Sequence, residues 1–247
     1  VGAGLAAGLT VPLVQALGGA VAPALAVWSI AAAVAFAVWL PQLRVPRPAT
    51  RARGSDIGLL RDSQAWQVTI FFGLQSALFY TLLSWLPTIY RDRGVSPTAA
   101  GAVLAVMTAV GIIGNFSAPL IARRTGNARL VVMSTGTFTG AGLLGVLLVP
   151  NQLSLLWATL IGIGTGGTFS LTLLLIAWRA HDAVIAARLS GMAQGIGYMI
   201  SALGPLTAGL LHSVSAGWSV PIAMVIVLLL AQVTAGFGAA RQGVITG

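Results

Sequence analysis

Long apolar stretches separated by short polar segments dominate the pattern of this chain. Formal charges are absent from residues 1–43, 63–90, 94–122, 130–178 and 189–240. A helix needs about 20 apolar residues to cross the hydrocarbon core of a bilayer, so three of these stretches are long enough for two crossings each. The pattern therefore predicts a protein embedded in a membrane.

Turn-forming residues divide the three longest stretches. Gly, Pro, Asn and Ser cluster near positions 18–23, 150–152 and 213–217, where they favour turns. Backbone amides in lipid have no water partners, and no alternating barrel pattern is present, so each span is predicted to be helical. The predicted fold class is an all-α integral membrane protein with eight transmembrane helices, over residues 2–18, 22–40, 66–89, 97–121, 130–149, 153–177, 189–212 and 218–240.

The positions of the arginines predict the orientation. The chain has 13 basic residues, all Arg, and four Asp with no Glu. Arg91 and Arg93 lie in one loop, whereas the other arginines all fall in segments on the opposite side of the predicted membrane. The positive-inside rule places that opposite side, with both termini, in the cytoplasm. Because the net charge of +9 is spread over separate loops, it indicates contact with lipid headgroups rather than with nucleic acid.

The residue types that are missing exclude most catalytic chemistry. There is no Cys, so disulfides and thiol ligands are absent. His181 and His212 are predicted near the membrane surfaces, and no Asp falls inside a predicted span. No GxSG motif for an intramembrane protease occurs, so we expect no enzyme, metal or cofactor. Proton-driven carriers usually keep a titratable group in the membrane, so coupling here would need other helices or protonation of the substrate.

A basic segment over residues 41–65 divides two predicted spans from six. Its first half resembles an extended linker, and residues 56–66 are predicted to form a short surface helix with Ser55 as its N-cap. Pro12 and Pro205 lie in comparable apolar segments 193 positions apart. This offset is typical of a protein built from two six-helix repeats, although chance placement of two prolines remains an alternative.

Particular segments resemble the major facilitator superfamily, and within it the branch of cyanate and 2-nitroimidazole transporters. These segments are AWQVTIFFGLQSALFYTLLSWLPTIYRDRG at residues 65–94, the following SPTAAG, and QGIGYMISALGPLTAGLLHSVSAGWSVP at residues 194–221. PLIARRTGNAR, at residues 119–129, resembles the second copy of the cytoplasmic loop signature of the superfamily. Arg123, Gly126 and Arg129 match that signature, whereas Ala122 replaces its usual acidic residue.

The resemblance implies an organisation for the whole chain. Residues 1–40 would be the last two helices of an N-terminal half, residues 41–65 the cytoplasmic linker, and residues 66–247 the six-helix C-terminal half. The chain would then correspond to helices 5 to 12 of a twelve-helix protein, with four helices absent at its N-terminus. The implied location is the bacterial cytoplasmic membrane, with several crossings.

Polar side chains that recur on helical faces mark candidate substrate contacts, because a polar group in lipid loses its water partners. The third predicted span carries Gln75, Ser76, Tyr80, Ser84 and Trp85, and the seventh carries Ser190, Gln194, Tyr198 and Ser201. We predict Gln75, Tyr80, Trp85, Gln194 and Tyr198 as substrate-binding residues and Gly204 with Pro205 as a hinge. The alternative interpretation of each stripe is contact between helices.

Other small or polar residues favour helix packing. Thr165, Thr168 and Thr172 lie among glycines of the sixth span, and Gly191 with Gly195 fits the small-xxx-small contact pattern. Asn115 is predicted to bond to a neighbouring helix. The functional hypothesis is a secondary transporter that moves a small neutral or anionic solute by alternating access. A truncated or non-transporting membrane protein with a structural role is the alternative, and the sequence leaves the oligomeric state open.

Overall fold

Helices form every regular element of the part of the chain that the structure describes. The computed structural model describes residues 13–14, 16–18, 21–41, 56–149, 151–241 and 243. A 3-10 turn at Asn151–Leu153 precedes the sixth helix. The helices are α1 (Val21–Trp39), α2 (Asp56–Arg61), α3 (Ser63–Asp92), α4 (Pro97–Thr125), α5 (Ala128–Leu148), α6 (Ser154–Arg179), α7 (Ala183–Ser215) and α8 (Ser219–Ala239).

The all-α membrane fold is confirmed. Five helices are long and apolar enough to cross a bilayer, namely α3, α4, α5, α6 with its preceding turn, and α8. Helix α1 contributes the shorter apolar helix Leu25–Trp39, and α7, with 33 residues, is long enough but is not among these five. Most of the predicted first span, residues 2–18, lies outside the described residues. The count of eight spans therefore stays a prediction.

Aspartate side chains determine where two helices begin. The Asp62 Oδ1 accepts hydrogen bonds from the backbone N–H groups of Gln64 at 2.7 Å and Ala65 at 3.0 Å, so α3 starts at Ser63. An N-cap of this kind satisfies N–H groups that have no partner within the helix. The short surface helix predicted to reach Trp66 therefore ends earlier, at Arg61, and its predicted cap, Ser55, lies outside the described residues.

The beginning of α7 also differs from the prediction. The Asp182 Oδ1 caps this helix by accepting from the N–H groups of Val184 and Ile185, each at 2.8 Å. Consequently α7 begins at Ala183, six residues before the predicted span, and Arg188 lies inside the helix rather than in a loop. Hydropathy marks the apolar part of a helix, whereas the cap decides where the helix itself starts.

The chain divides into two compact units, residues 1–53 and 54–247. Helix α1 belongs to the first unit, and Ser29, its only hydroxyl-bearing residue, donates to the Leu25 carbonyl of the same helix at 3.3 Å. In the second unit α6 packs against α4 and α5, while α3 packs against α7 and α8. Its main core combines buried side chains of α3, α5, α6 and α7, including Val68, Phe71, Val132, Leu175 and Leu189.

Glycines bring α4 and α6 into backbone contact. A Cβ added at Gly166 would overlap the Gly111 carbonyl oxygen and lie 2.8 Å from its carbonyl carbon. A Cβ at Gly114 would overlap the Ile163 carbonyl oxygen in the same way. Small residues allow such close approach, which strengthens packing between helices in a membrane. These glycines therefore set the distance between the two helices.

The threonines of α6 satisfy their hydroxyl groups within the helix. Thr165 donates to the Ile161 carbonyl at 2.8 Å, and Thr168 donates to the Gly164 carbonyl at 2.9 Å. Thr172 donates to the carbonyl of Thr168 at 2.8 Å. All three side chains are buried, in keeping with the helix-contact interpretation of this threonine and glycine set.

Candidate functional site

The two predicted polar stripes lie on helices that touch each other. A Cβ added at Gly73 of α3 would lie 3.2 Å from the Cα of Gly197 in α7. Further along the same pair, a Cβ at Gly204 would lie 2.7 Å from the Ala77 carbonyl oxygen. Close backbone approach at both places holds α3 and α7 side by side. Side chains flanking these contacts can therefore form one surface.

Four rings form an aromatic cluster on this surface: Phe72 and Tyr80 of α3, Phe169 of α6 and Tyr198 of α7. The rings of Tyr80 and Tyr198 are 6.3 Å apart at an interplanar angle of 62°. Phe72 meets Tyr198 edge to face at 5.2 Å and lies 6.3 Å from Phe169. Edge-to-face pairs of this spacing are favourable arrangements of aromatic quadrupoles. Through these contacts the cluster joins rings of α3, α6 and α7.

The two tyrosines are the exposed part of the aromatic cluster. Tyr80 is 38% exposed and Tyr198 is 42% exposed, whereas Phe72 is fully buried beneath them. No charged residue is part of this cluster, so its polar groups are two uncharged phenol hydroxyls. Such a surface can offer hydrogen bonds and flat ring faces to a solute without an ion pair.

Gln194 lies one helical turn before Tyr198 and is partly exposed. Its Nε2 donates to the Ser190 Oγ at 2.6 Å, which orients the amide along the helix. Ser201, the last member of the predicted stripe, instead donates to the Tyr198 backbone carbonyl at 2.9 Å. The open part of the α7 stripe is therefore Ser190, Gln194 and Tyr198.

Gln75 lies inside the bundle rather than on the open surface. It is 3% exposed, and its Oε1 accepts from the Ser76 hydroxyl at 3.2 Å. Tyr80, Tyr198 and Gln194 are therefore the accessible members of the predicted set on α3 and α7, whereas Gln75 is buried. Its predicted contact with substrate stays a prediction.

Trp85 belongs to a second cluster at the far end of α3. Its Nε1 donates to the Pro205 carbonyl at 2.9 Å, and its ring lies 5.5 Å from that of Trp218. The Trp218 Nε1 in turn donates to the Asp92 Oδ2 at 2.8 Å, and the His212 ring stacks on Trp218 at 3.9 Å. Trp85 thus connects the ends of helices, and no described contact joins it to the aromatic cluster.

The predicted hinge lies within an unbroken helix. Helix α7 continues through Gly204 and Pro205 to Ser215. A Cβ at Gly204 would meet the Ala77 carbonyl and the Thr81 hydroxyl oxygen, so this glycine permits close packing on α3. Hinge motion at this position stays a prediction.

The conformation of the loop between α4 and α5 favours glycine at position 126. Gly126 ends α4 in the left-handed region with φ of 63°, which glycine adopts without a steric cost. Asn127 then caps α5 by accepting from the Leu130 N–H at 3.1 Å. Arg123 and Arg129 flank this turn, and both are exposed.

Two packing predictions are not met within the described residues. The Asn115 Oδ1 is buried, and the described part of the chain offers it no hydrogen bond, so the predicted interhelical bond is not formed by that atom. A Cβ at Gly191 or Gly195 would meet nothing within 4 Å. These two glycines lie on the outward side of α7, away from the helices that this unit contains.

These features define a multi-pass α-helical membrane protein with an uncharged polar surface between two helices. The chain belongs to the major facilitator superfamily, whose family model matches residues 1–202. Its sequence is also similar to those of individual proteins over most of its length.

The similar proteins are transporters. The uncharacterized transporter YycB of Bacillus subtilis is 36% identical over 242 residues, which are 97% of this chain and 60% of that protein. The 2-nitroimidazole transporter of Escherichia coli is 32% identical over 212 residues, 85% of this chain and 54% of that protein. The cyanate transport protein CynX of Escherichia coli is 31% identical over 195 residues, 78% of this chain and 50% of that protein. The chain thus spans 50% to 60% of the length of these three relatives.

Proposed function

We propose that the protein is a secondary transporter in which Tyr80, Tyr198 and Gln194 contact a small neutral or anionic solute. The observation that carries this proposal is the pair of phenol rings, 6.3 Å apart and each more than a third exposed, on two helices in contact. Polar groups on apolar helices lose their water partners, so they mark candidate contacts with a solute or with another helix. The Escherichia coli relatives are transporters of 2-nitroimidazole and of cyanate, which supports a small solute here.

The chemistry of this surface favours uncharged recognition. Phenol hydroxyls and an amide both donate and accept hydrogen bonds, so they suit a solute rich in acceptor atoms. No Asp lies near the centre of a described transmembrane helix, because Asp62 and Asp182 are N-caps and Asp92 ends α3. A cationic solute would have no counter-ion on this surface. Gln75 is buried, and its amide oxygen accepts from the Ser76 hydroxyl.

The proposed mechanism is alternating access by two helical halves around a central site. Residues 66–247 would form the C-terminal half, residues 1–40 the end of the N-terminal half, and residues 41–65 the linker. The boundary between the two compact units, at residues 53 and 54, lies within this linker and supports the division. Alternating access about a site at the repeat interface is the general mode of such carriers. The proposed location is the bacterial cytoplasmic membrane, with the arginine-rich loops inside.

The test is solute uptake by the full-length gene product in reconstituted vesicles, with and without a proton gradient. Labelled cyanate and 2-nitroimidazole are the first probes. We expect Tyr80→Phe and Tyr198→Phe each to raise the KM by about 2- to 12-fold, because each removes one hydrogen bond worth about 0.5 to 1.5 kcal/mol. Gln194→Ala should have an effect of the same order.

The remaining tyrosine provides the matched control. Tyr90 is 1% exposed, belongs to the same helix as Tyr80 and lies outside the aromatic cluster. Tyr90→Phe should leave KM unchanged. Equal effects of all three Tyr→Phe changes would show that the α3–α7 surface is not the site. Failure of the folded full-length protein to move any small solute across the membrane would favour the structural role instead.

A further inference from the structure

A groove runs between α3 and α8 on the surface of the second compact unit, residues 54–247. Ile70 and Leu74 of α3 form one wall, and Ala231 and Ala235 of α8 form the other. Arg129 and Arg241 lie at one end. We name these six residues together the α3–α8 groove. Its α3 wall, Ile70 and Leu74, is not part of the aromatic cluster.

The walls of the groove suit a hydrocarbon chain. Ile70 and Leu74 are one helical turn apart, as are Ala231 and Ala235, so each pair lies on one helical face. The two alanines leave space beside α8, and Ile70 is 39% exposed. A pocket of about 670 Å³ forms there. This volume is within the range of about 300 to 1,000 Å³ that small ligands occupy, and it far exceeds that of a single ion.

The end of the groove suits an anion. Arg129 is in the first turn of α5, and Arg241 follows the end of α8, so two separate elements direct guanidinium groups to the same pocket. Both arginines are exposed, and neither forms an ion pair within the described residues. No acidic residue lines this pocket. Guanidinium groups bind phosphate oxygens through paired hydrogen bonds.

The length of the groove matches one leaflet of a bilayer. Ten residues separate Ala231 from Arg241, which is about 15 Å of helix at 1.5 Å per residue. The hydrocarbon core of a bilayer is about 30 Å thick, so one leaflet is about half of that. The arginines therefore fall at headgroup level when the apolar walls lie within the acyl chains. The arginine-rich loops are predicted to be cytoplasmic, so this end of the groove would lie in the cytoplasmic leaflet, where anionic lipids concentrate.

A polar group without a partner lies beside the same groove. The Gln67 Oε1 is buried and has no hydrogen-bond partner in the described part of the chain. Its amide packs on Gly238, where a Cβ would lie 2.9 Å from the Gln67 Cδ. Both residues line the pocket. This unpaired amide oxygen lies in a residue of the groove wall, and a buried polar atom of this kind usually marks a place where a further group binds nearby.

We propose that the α3–α8 groove binds one anionic phospholipid of the cytoplasmic leaflet, with its phosphate between Arg129 and Arg241 and an acyl chain along the apolar walls. The site is separate from the aromatic cluster, and it requires only that these helices lie in a membrane. It does not depend on transport, so the failure of the proposed solute site would leave it intact.

The experiment is native mass spectrometry of the full-length gene product with added phosphatidylglycerol. We expect one phosphatidylglycerol to be retained more strongly than phosphatidylcholine. The double variant Arg129→Gln with Arg241→Gln should weaken retention by about tenfold or more, because it removes charge-assisted hydrogen bonds. Ala235→Trp should also weaken retention, since the indole fills the apolar part of the groove and leaves both arginines in place.

The matched control is Arg123→Gln with Arg124→Gln. These arginines are exposed at the end of α4, on the same side of the membrane, and do not line the groove. This variant should retain phosphatidylglycerol as the unmodified protein does. An equal loss in the control would show general attraction of a basic surface and overturn the site. Unchanged binding in either groove variant would also overturn it, and displacement by inorganic phosphate would identify a soluble anion as the ligand instead.

Discussion

The change Gly166→Ala tests whether backbone contact between α4 and α6 holds the bundle together. Gly166 faces the Gly111 peptide group, and an added methyl group would lie 2.8 Å from the Gly111 carbonyl carbon and 2.9 Å from its Cα. Ordinary contacts between such atoms are about 3.5 to 4.0 Å. Because the obstacle is backbone rather than the end of a side chain, it cannot rotate away. The two helices must separate by about 1 Å.

The cost of this separation follows from lost dispersion. A gap of 0.5 to 1 Å forfeits about a quarter to a half of each atom pair's attraction of about 0.1 to 0.2 kcal/mol. If the affected interface holds on the order of 50 atom pairs, as around one buried Leu, the loss is about 1 to 5 kcal/mol. The higher helix propensity of Ala returns about 1 kcal/mol. The expected net destabilisation is up to about 4 kcal/mol, with a central value of about 2 kcal/mol that lies within the range of about 1 to 3 kcal/mol for overpacking.

The measurement is the free energy of unfolding in mixed micelles titrated with sodium dodecyl sulfate, followed by helix content. Gly101→Ala in α4 is the matched control, because a Cβ there meets nothing within 4 Å. It should be neutral or more stable by up to about 1 kcal/mol. If the two variants had equal free energies of unfolding, the glycine contacts would not determine the stability of this helix pair, and the reasoning would be wrong.

Four further changes test three other contacts. Arg179→Gln should lower the free energy of unfolding by about 1 to 3 kcal/mol in the same titration, since the buried guanidinium donates to two carbonyls at and beyond the end of α8, at 3.2 and 3.3 Å. An unchanged free energy of unfolding would mean that water satisfies the two carbonyls in place of the guanidinium. Trp218→Phe keeps an aromatic ring but loses the hydrogen bond to Asp92, so the thermal midpoint of the purified protein should fall. Asp92→Asn should lower the midpoint less, because the amide oxygen of Asn can still accept this hydrogen bond. Thr168→Val should change stability by less than about 0.5 kcal/mol, because the hydroxyl bonds only within its own helix; a large loss would reveal a bond between helices.

Charge exclusion made the helix positions predictable. Helix α5 was predicted over residues 130–149 and spans Ala128–Leu148, because Arg129 and the turn near residue 150 mark the limits of the apolar stretch. The start of α7 was missed by six residues, since the Asp182 cap extends the helix beyond the part that lipid requires. Membrane hydropathy thus locates spans but does not define where their helices begin.

The candidate site was predictable only in part. Tyr80 and Tyr198 stood out because a phenol contrasts with apolar neighbours, and the structure brings their rings together. Gln75 was grouped with Tyr80, but five residues of helix turn the side chain through about 500°, so the two do not share one face. The sequence did not identify Phe72 or Phe169 as members of the cluster, because a Phe does not stand out from the other apolar residues of its helix. The contact of Trp218 with Asp92 joins positions 126 apart and was equally hidden.

The glycines of α6 restrict how this unit can move. Gly162 and Gly166 pack against α4 on one side of α6, and Gly164 packs against α5 on the other side. A Cβ added at Gly164 would lie 2.6 Å from the Thr135 carbonyl oxygen. Sliding α6 along either neighbour by one residue, about 1.5 Å, would bring side chains into spaces that admit only a hydrogen atom. Helices α4, α5 and α6 can therefore pack together in only one register. We expect them to move as one rigid block in any conformational change of the protein.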